Sequence, residues 1–141
     1  MDGSARHILA LSAAGLGDFM VYFVIAVAIT ALYLAIYLRV TPHREIALAR
    51  QGNVAAAVSF AGALVGFVIP LASAIAHSAS LLDALVWSGV ALVIQLLAFA
   101  AACRLLPQLS AQIERGNVAD AIVLAALHLG VGILNAACMT S

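Results

Sequence analysis

The sequence predicts an all-α membrane protein whose four transmembrane helices are formed by two tandem two-helix repeats. Of its 141 residues, 66% are hydrophobic and only 9% are charged, whereas about 25% of the residues in an average soluble domain are charged. A chain with so few charged residues cannot cover its surface with polar groups, so lipid must form part of its solvent. The formal net charge is zero, which argues against a nucleic-acid partner.

Four hydrophobic stretches are long enough to cross a bilayer, because a hydrocarbon core of about 30 Å needs about 20 apolar residues in a helix. The predicted spans are residues 19–38, 54–77, 84–103 and 118–139. The residues before the first span lack the positively charged start and the cleavage site of a secretory signal. We expect them to form a short N-terminal segment at the membrane interface.

Tyrosines lie near both ends of the first predicted span. Tyr22 is close to its start, and Tyr33 and Tyr37 are close to its end. Amphipathic aromatic rings favour the boundary between hydrocarbon and headgroups. We therefore expect all three tyrosines to be interfacial anchors.

Two longer connections, residues 41–53 and 105–117, each follow a predicted span. Both place Ile, Leu and Ala at helical spacing between charged residues, which predicts a short amphipathic helix on the membrane surface. Pro42 and Pro107 end the preceding spans, because proline cannot continue the helical hydrogen-bond ladder. We expect these connections to present five charged side chains to the cytoplasm, namely Arg44, Glu45, Arg50, Glu114 and Arg115.

The second half of the chain repeats the first. Gly-Asn-Val-Ala occurs at residues 52–55 and again at 116–119, and Asn53 and Asn117 suit the N-cap of the helix that follows each. Five further identities follow at constant spacing: Ala57, Ala61, Gly66, Ile69 and Ala72 match Ala121, Ala125, Gly130, Ile133 and Ala136. We treat residues 1–141 as one membrane domain, with repeat one at 18–77 and repeat two at 83–141.

The orientation follows from the arginines, five of which lie at the two longer connections. They are Arg39, Arg44, Arg50, Arg104 and Arg115, and only Arg6 lies on the other side. The positive-inside rule therefore predicts cytoplasmic connections and periplasmic termini. With two spans in each copy, the repeats share one topology, and the axis that relates them is predicted to lie along the membrane normal.

Polar side chains at bilayer depth are the candidate functional residues. On the fourth span, Asp120, His128 and Asn135 fall within a stripe of roughly 80°, and Gln95 of the third span lies near the midplane. The stripe could be a proton or cation path with His128 as a relay. It could instead be a polar seam in which neutral His128 bonds Gln95 or Thr30 across a helix interface. The seam is the favoured hypothesis.

The second span contains two further features of interest. Gly62-x-x-x-Gly66 offers a close-packing face, which could be used within the monomer or between subunits. Pro70 removes the hydrogen bond to Gly66 four residues earlier and should bend the helix there. The bend could be a gating hinge, but a packing bend is the simpler interpretation.

The sequence contains no motif typical of an enzyme. Metal-ligand spacings, nucleotide-binding glycine motifs and a nucleophile within reach of a base are all missing. Cys103 and Cys138 are interpreted as small apolar fillers. We expect no enzymatic activity, no cofactor and no metal.

Several motifs resemble the domain-of-unknown-function 350 family of bacterial inner-membrane proteins. They are Pro42, Glu45 and Gly52-Asn53, the tract GALVGFVIPLASAIAHS with Leu82-Asp83, Trp87 and Gln95 after it, and the closing GILNAACMTS. The resemblance covers residues 18–141. It implies an integral inner-membrane protein with two copies of a two-helix unit, and it implies no particular activity. The second copy departs from the pattern, since Ser110 stands where the first has Glu45.

Two functions remain open at this point. The chain could be a structural or accessory membrane component that packs in the bilayer with copies of itself, or with a cytoplasmic or membrane protein partner. Alternatively, it could be a small pore or proton- or cation-coupled transporter lined by the polar stripe. The first is slightly favoured, because one polar stripe makes a poor pathway unless several subunits line it.

Overall fold

The computed structural model describes residues 3–42 and 44–140, and within them it contains six α-helices and no strand. In chain order they are α1 (Gly3–Val40), α2 (Glu45–Arg50), α3 (Val54–His77), α4 (Leu81–Leu105), α5 (Leu109–Glu114) and α6 (Val118–Cys138). α1, α3, α4 and α6 are long and apolar enough to cross a membrane. The predicted all-α class and the four spans are confirmed.

The N-terminal segment is helical from residue 3 onward, and residues 1 and 2 lie outside the described part. Its place at the membrane interface stays a prediction. α1 begins at Gly3 and continues as one helix to Val40, and its membrane-spanning part begins at Gly15. A helix of 38 residues is about 57 Å long. It therefore exceeds the hydrocarbon core of about 30 Å, and its N-terminal turns extend beyond that core.

α3 lies at the centre of the fold, because it packs against each of the other five helices. Half of the residues in the most apolar stretch of α3 are buried within the protein, compared with 6% in the most apolar stretch of α1. The buried positions of α3 include alanines, glycines and Ser59. Small side chains let neighbouring backbones approach closely, and dispersion contacts between them drive helix association in lipid.

The closest approach in the fold is between α3 and α6. Gly62 lies against Ala125, and Gly66 lies against the backbone of His128 and against Gly132. Further along, the Ser73 hydroxyl donates to the Ala136 carbonyl over 3.0 Å. Contact positions rise together along both helices, so α3 and α6 run parallel. The predicted glycine face is therefore used within the monomer.

Pro70 lies inside α3 and is fully buried, and the helix continues through it to His77. Proline has no backbone N–H, so it leaves the Gly66 carbonyl without its usual intrahelical donor. That carbonyl oxygen lies directly against Gly132 of α6. A Cβ at residue 132 would collide with it, so a glycine there is what allows the two helices to meet.

The two long connections have the same local design. Each short helix, α2 or α5, is followed by a glycine with positive φ, 88° at Gly52 and 84° at Gly116, which glycine adopts without a steric penalty. An asparagine N-cap follows: Asn53 accepts from the Ala56 N–H, and Asn117 accepts from the N–H groups of Ala119 and Asp120. The residues predicted as N-caps occupy those positions.

Asn53 also ties the two connections together. Its side-chain amide donates to the carbonyls of Ile113 and Glu114 at the end of α5, each over 3.0 Å. The Asn117 amide stays local and donates to the Asp120 carboxylate. Among the described residues, the two N-cap asparagines therefore differ: the Asn53 amide donates across to the second connection, whereas the Asn117 amide donates within its own.

Candidate functional site

Tyr33 and Tyr37 are fully buried, so the prediction that they are interfacial anchors is wrong. The Tyr33 ring stacks on Phe67 of α3 with a centroid separation of 4.2 Å, and the Tyr37 ring meets Phe99 of α4 edge-on at 5.1 Å. Aromatic pairs in these arrangements add to the packing energy of the core. The two tyrosines thus fasten the end of α1 to the rest of the protein.

Glu45 is also fully buried, which contradicts the prediction that it is presented to the cytoplasm. One carboxylate oxygen, Oε1, accepts from the Tyr37 hydroxyl at 2.9 Å and from the Ser59 hydroxyl at 2.7 Å. Glu45 is the first residue of α2, so its side chain can turn inward between α1 and α3. Burying a carboxyl group is costly unless it is hydrogen-bonded, and the two hydroxyls offset part of that cost.

A second buried polar group joins α4 to α6 near the middle of the bilayer. The Gln95 amide nitrogen lies 2.9 Å from His128 Nδ1 and 3.0 Å from the His128 carbonyl oxygen. An amide nitrogen can only donate, and it has two hydrogens, so Nδ1 and the carbonyl both accept. His128 then carries its ring proton on Nε2. The seam hypothesis leaves Gln95 and Thr30 open as partners of His128, and the partner in the structure is Gln95.

Gly66 makes room for this pair. A Cβ at residue 66 would lie 2.5 Å from the His128 carbonyl oxygen and 2.7 Å from the Gln95 amide nitrogen. Such distances are far below normal contact, so any larger residue would displace the pair. α3, α4 and α6 therefore meet at one point, where a glycine, an amide and an imidazole fit together.

The two polar groups are linked through aromatic rings. His128 meets the Tyr37 ring edge-on at 5.8 Å and lies nearly parallel to the Phe99 ring at 6.1 Å. Tyr37 thus touches both Glu45 and His128. We refer to Tyr37, Glu45, Ser59, Gln95 and His128 as the polar core.

Several buried polar atoms within the described residues have no hydrogen-bond partner: the Tyr33 hydroxyl, Gln95 Oε1, His128 Nε2 and Asn135 Nδ2. Buried polar atoms of this kind are commonly satisfied by ordered water. Two of them belong to the Gln95–His128 pair. Gln95 Oε1 is an acceptor and His128 Nε2 is a donor, and both lack a partner within the described residues.

The remaining members of the predicted stripe are not brought together with His128. Asp120 is half-buried in the first turn of α6, where its carboxylate accepts from Asn117 and belongs to the helix cap. Asn135 is 7% exposed toward the other end of the helix. Thr30, the alternative predicted partner of His128 and not a member of the stripe, donates to the Ala26 carbonyl of its own helix. The predicted stripe therefore consists of the bonded pair of Gln95 and His128, with Asp120 and Asn135 lying apart from that pair.

The other charged residues predicted for the connections are exposed: Arg44, Arg50, Glu114 and Arg115. Sequence reasoning missed the set of Tyr37, Glu45 and Ser59. The signal that could have found it was Glu45 itself, because the sequence of the second long connection has no glutamate at the matching place after Pro107. The described residues contain no group of three or more His, Cys, Asp or Glu side chains that could hold a metal ion.

Comparison with known proteins identifies relatives. The model of the family described as Domain of Unknown Function (DUF350) matches residues 10–139. The UPF0719 inner membrane protein YjfL of Escherichia coli K12 is 45% identical over 122 residues, which cover 86% of this chain and 92% of the relative. YjfL of E. coli O157:H7 matches equally, and no solved structure matches. These relatives and the four apolar helices support a multi-pass inner-membrane location.

Replacing Tyr37 by phenylalanine should destabilise the fold by about 1–3 kcal/mol, because Glu45 loses a buried hydroxyl donor while the ring packing is kept. The free energy of unfolding in mixed micelles measures this effect. Tyr22→Phe, on the same helix but outside the polar core, is the matched control and should change it little. Equal effects of the two substitutions would contradict the assigned role of the Tyr37 hydroxyl.

Proposed function

Because this chain belongs to the DUF350 family, and its E. coli relatives are named as inner membrane proteins, we propose that it is an oligomeric structural or accessory component of that membrane, without enzymatic activity. The observation that carries the proposal is the bonding of Gln95 to His128. A mid-membrane histidine must face protein or water. Here its ring nitrogen and its carbonyl are both engaged by a neighbouring helix, which favours a packing role.

The proposal includes the tandem repeat, with repeat one at residues 18–77 and repeat two at 83–141. Its support is the shared Gly-Asn-Val-Ala tract together with the matching backbone at each copy. The N-cap dihedral angles are φ −72° and ψ 101° at Asn53, and φ −71° and ψ 99° at Asn117. The parallel course of α3 and α6 also agrees with repeats related by an axis along the membrane normal.

The repeat leads to a candidate subunit interface. Gly62 and Gly66 of α3 are covered by contact with α6. The aligned positions in the second copy are Ala126 and Gly130. Both are exposed, and a Cβ added at Gly130 would meet no atom within 4 Å. The second copy therefore retains a small-residue face that a helix of another subunit can approach.

The proposed orientation places both long connections in the cytoplasm and both termini in the periplasm. The arginine distribution supports it through the positive-inside rule. In this orientation the exposed side chains of Arg44, Arg50, Glu114 and Arg115 face the cytoplasm. They would be available there to a protein partner.

A pore or a proton- or cation-coupled transporter is the second candidate function. The observation that favours it is the buried Glu45 carboxyl group. Tyr37 connects this group to His128, because its hydroxyl donates to Glu45 and its ring contacts the His128 ring. His128 Nε2 and Gln95 Oε1 also remain available to water within the described residues. Such a series of groups could bind and pass protons if water reached it.

Light scattering of the purified protein in detergent should give the mass of an oligomer. Gly130→Leu should lower that mass toward the monomer, because the added side chain fills the close-packing face of α6. Gly89→Leu is the matched control, since Gly89 on α4 is also exposed with open space beside it, and it should leave the mass unchanged. A monomeric original protein would contradict the oligomer.

Proton and monovalent-cation flux into liposomes distinguishes the two functions. With a packing role, liposomes containing the original protein should leak no faster than empty ones, and His128→Leu should lower the free energy of unfolding without changing flux. In the same flux assay, Glu45→Gln tests whether the carboxyl group of the polar core takes part in conduction. Flux that is present in the original and lost in folded His128→Leu and Glu45→Gln proteins would instead make the chain a pore or carrier.

Single cysteines at Ser80 and Ala111, in a background without Cys103 and Cys138, test the orientation. Both positions are exposed, one between α3 and α4 and the other on α5. In intact cells an impermeant thiol reagent should modify position 80 and spare position 111. The reverse pattern would place the arginine-rich connections in the periplasm.

A further inference from the structure

We propose that the surface formed by the end of α1 and by α2 binds the headgroup of an anionic phospholipid. A shallow pocket of about 400 Å³ lies there. Its lining includes two arginines, Arg44 and Arg50, and the apolar side chains of Leu38, Ile46 and Ala47. We refer to it as the α2 pocket.

The arginines of the α2 pocket have the charge and the exposure that a lipid phosphate requires. Both side chains are exposed, and no ion pair to either guanidinium occurs among the described residues. Arginine presents several N–H donors in a planar fork that matches phosphate oxygens. Two exposed guanidinium groups around one pocket therefore favour an anionic ligand.

The carboxylate in the lining is not exposed beside these arginines. Glu45 is fully buried, and its Oε1 is directed to the Tyr37 and Ser59 hydroxyls of the protein interior. The face of α2 that meets the surroundings is thus basic, although the helix begins with an acidic residue.

The position of the α2 pocket favours a lipid over a soluble anion or a protein. It begins at Leu38, in the last turn of the membrane-spanning part of α1, which ends at Val40. Ile46 adds an apolar side chain that is 40% exposed. A ligand held here has its charged part at headgroup depth and its apolar part along the hydrocarbon, which is the layout of a phospholipid.

The second connection provides an internal comparison. The corresponding pocket at α5 is lined by Pro107, Ser110 and Glu114 among others. When the two Gly-Asn tracts that follow α2 and α5 are aligned, Glu114 stands at the position of Arg50. A carboxylate thus stands where the first copy has a guanidinium. We therefore expect a phosphate headgroup at α2 and none at α5.

Native mass spectrometry of the full chain in detergent tests the site with phosphatidylglycerol and, for comparison, phosphatidylcholine. The original protein should bind phosphatidylglycerol more tightly. The exposed pair Arg44→Gln and Arg50→Gln should weaken that binding about 30-fold, since each arginine near an anionic lipid contributes roughly a factor of five. Arg44→Lys with Arg50→Lys should retain most of it.

Arg115→Gln is the control, because it removes one exposed positive charge at the α5 end of the protein, outside the α2 pocket, and should leave binding unchanged. The proposal is overturned if the two lipids bind alike, or if Arg115→Gln weakens binding as much as the double glutamine variant. Inorganic phosphate is tested alone in the same instrument. A phosphate adduct that the double variant loses would identify a free-anion site and would also overturn the lipid assignment.

Discussion

Polar side chains inside a membrane protein must find partners within the protein, because the hydrocarbon offers none. In this chain that constraint is concentrated where Gln95, His128 and Gly66 meet. The amide of α4 donates to both the ring and the backbone of His128 on α6, and Gly66 of α3 leaves the space that both groups occupy. Three of the four spans are thereby held in one register.

The rest of the fold follows from that meeting point. α3 must approach α6 closely enough for a glycine to touch a backbone carbonyl, so its other contact positions, Gly62 and Ser73, are also small. Pro70 contributes by leaving the Gly66 carbonyl free to lie against Gly132. The remaining span, α1, is held mainly by its tyrosines, and most of its other surface faces outward.

Glu45 gives the first long connection a feature that the second lacks. Its carboxyl group draws α2 against α1 and α3 through Tyr37 and Ser59, whereas α5 is held by the buried side chains of Leu109 and Ile113. α2 is thus anchored by the hydrogen bonds of a buried carboxylate, whereas α5 is anchored by apolar side chains together with the Asn53 hydrogen bonds to its last two carbonyls. The same asymmetry leaves a basic outer face at α2, where we infer a lipid headgroup, and a carboxylate at α5.

The parts of the structure that were predictable are those set by local chemistry. Span number follows from apolar length, and the N-caps follow from Asn after Gly. The pairing of Gln95 with His128 follows because each needs a partner at the same depth. The burial of Glu45, Tyr33 and Tyr37 could not be predicted, since charge and aromaticity near a span end fit an interfacial position equally well. Only the packing of α2 against α1 and α3 decides between the two positions.

The central claim is that the Gln95–His128 pair holds the helices together. A double-mutant cycle with Gln95→Leu and His128→Phe, measured as the free energy of unfolding in mixed micelles, tests it most directly. Hydrogen bonds between membrane helices typically give coupling energies of about 0.6–1.7 kcal/mol in such cycles, and we expect a favourable coupling in that range. Additive effects of the two substitutions, with no coupling, would contradict the claim.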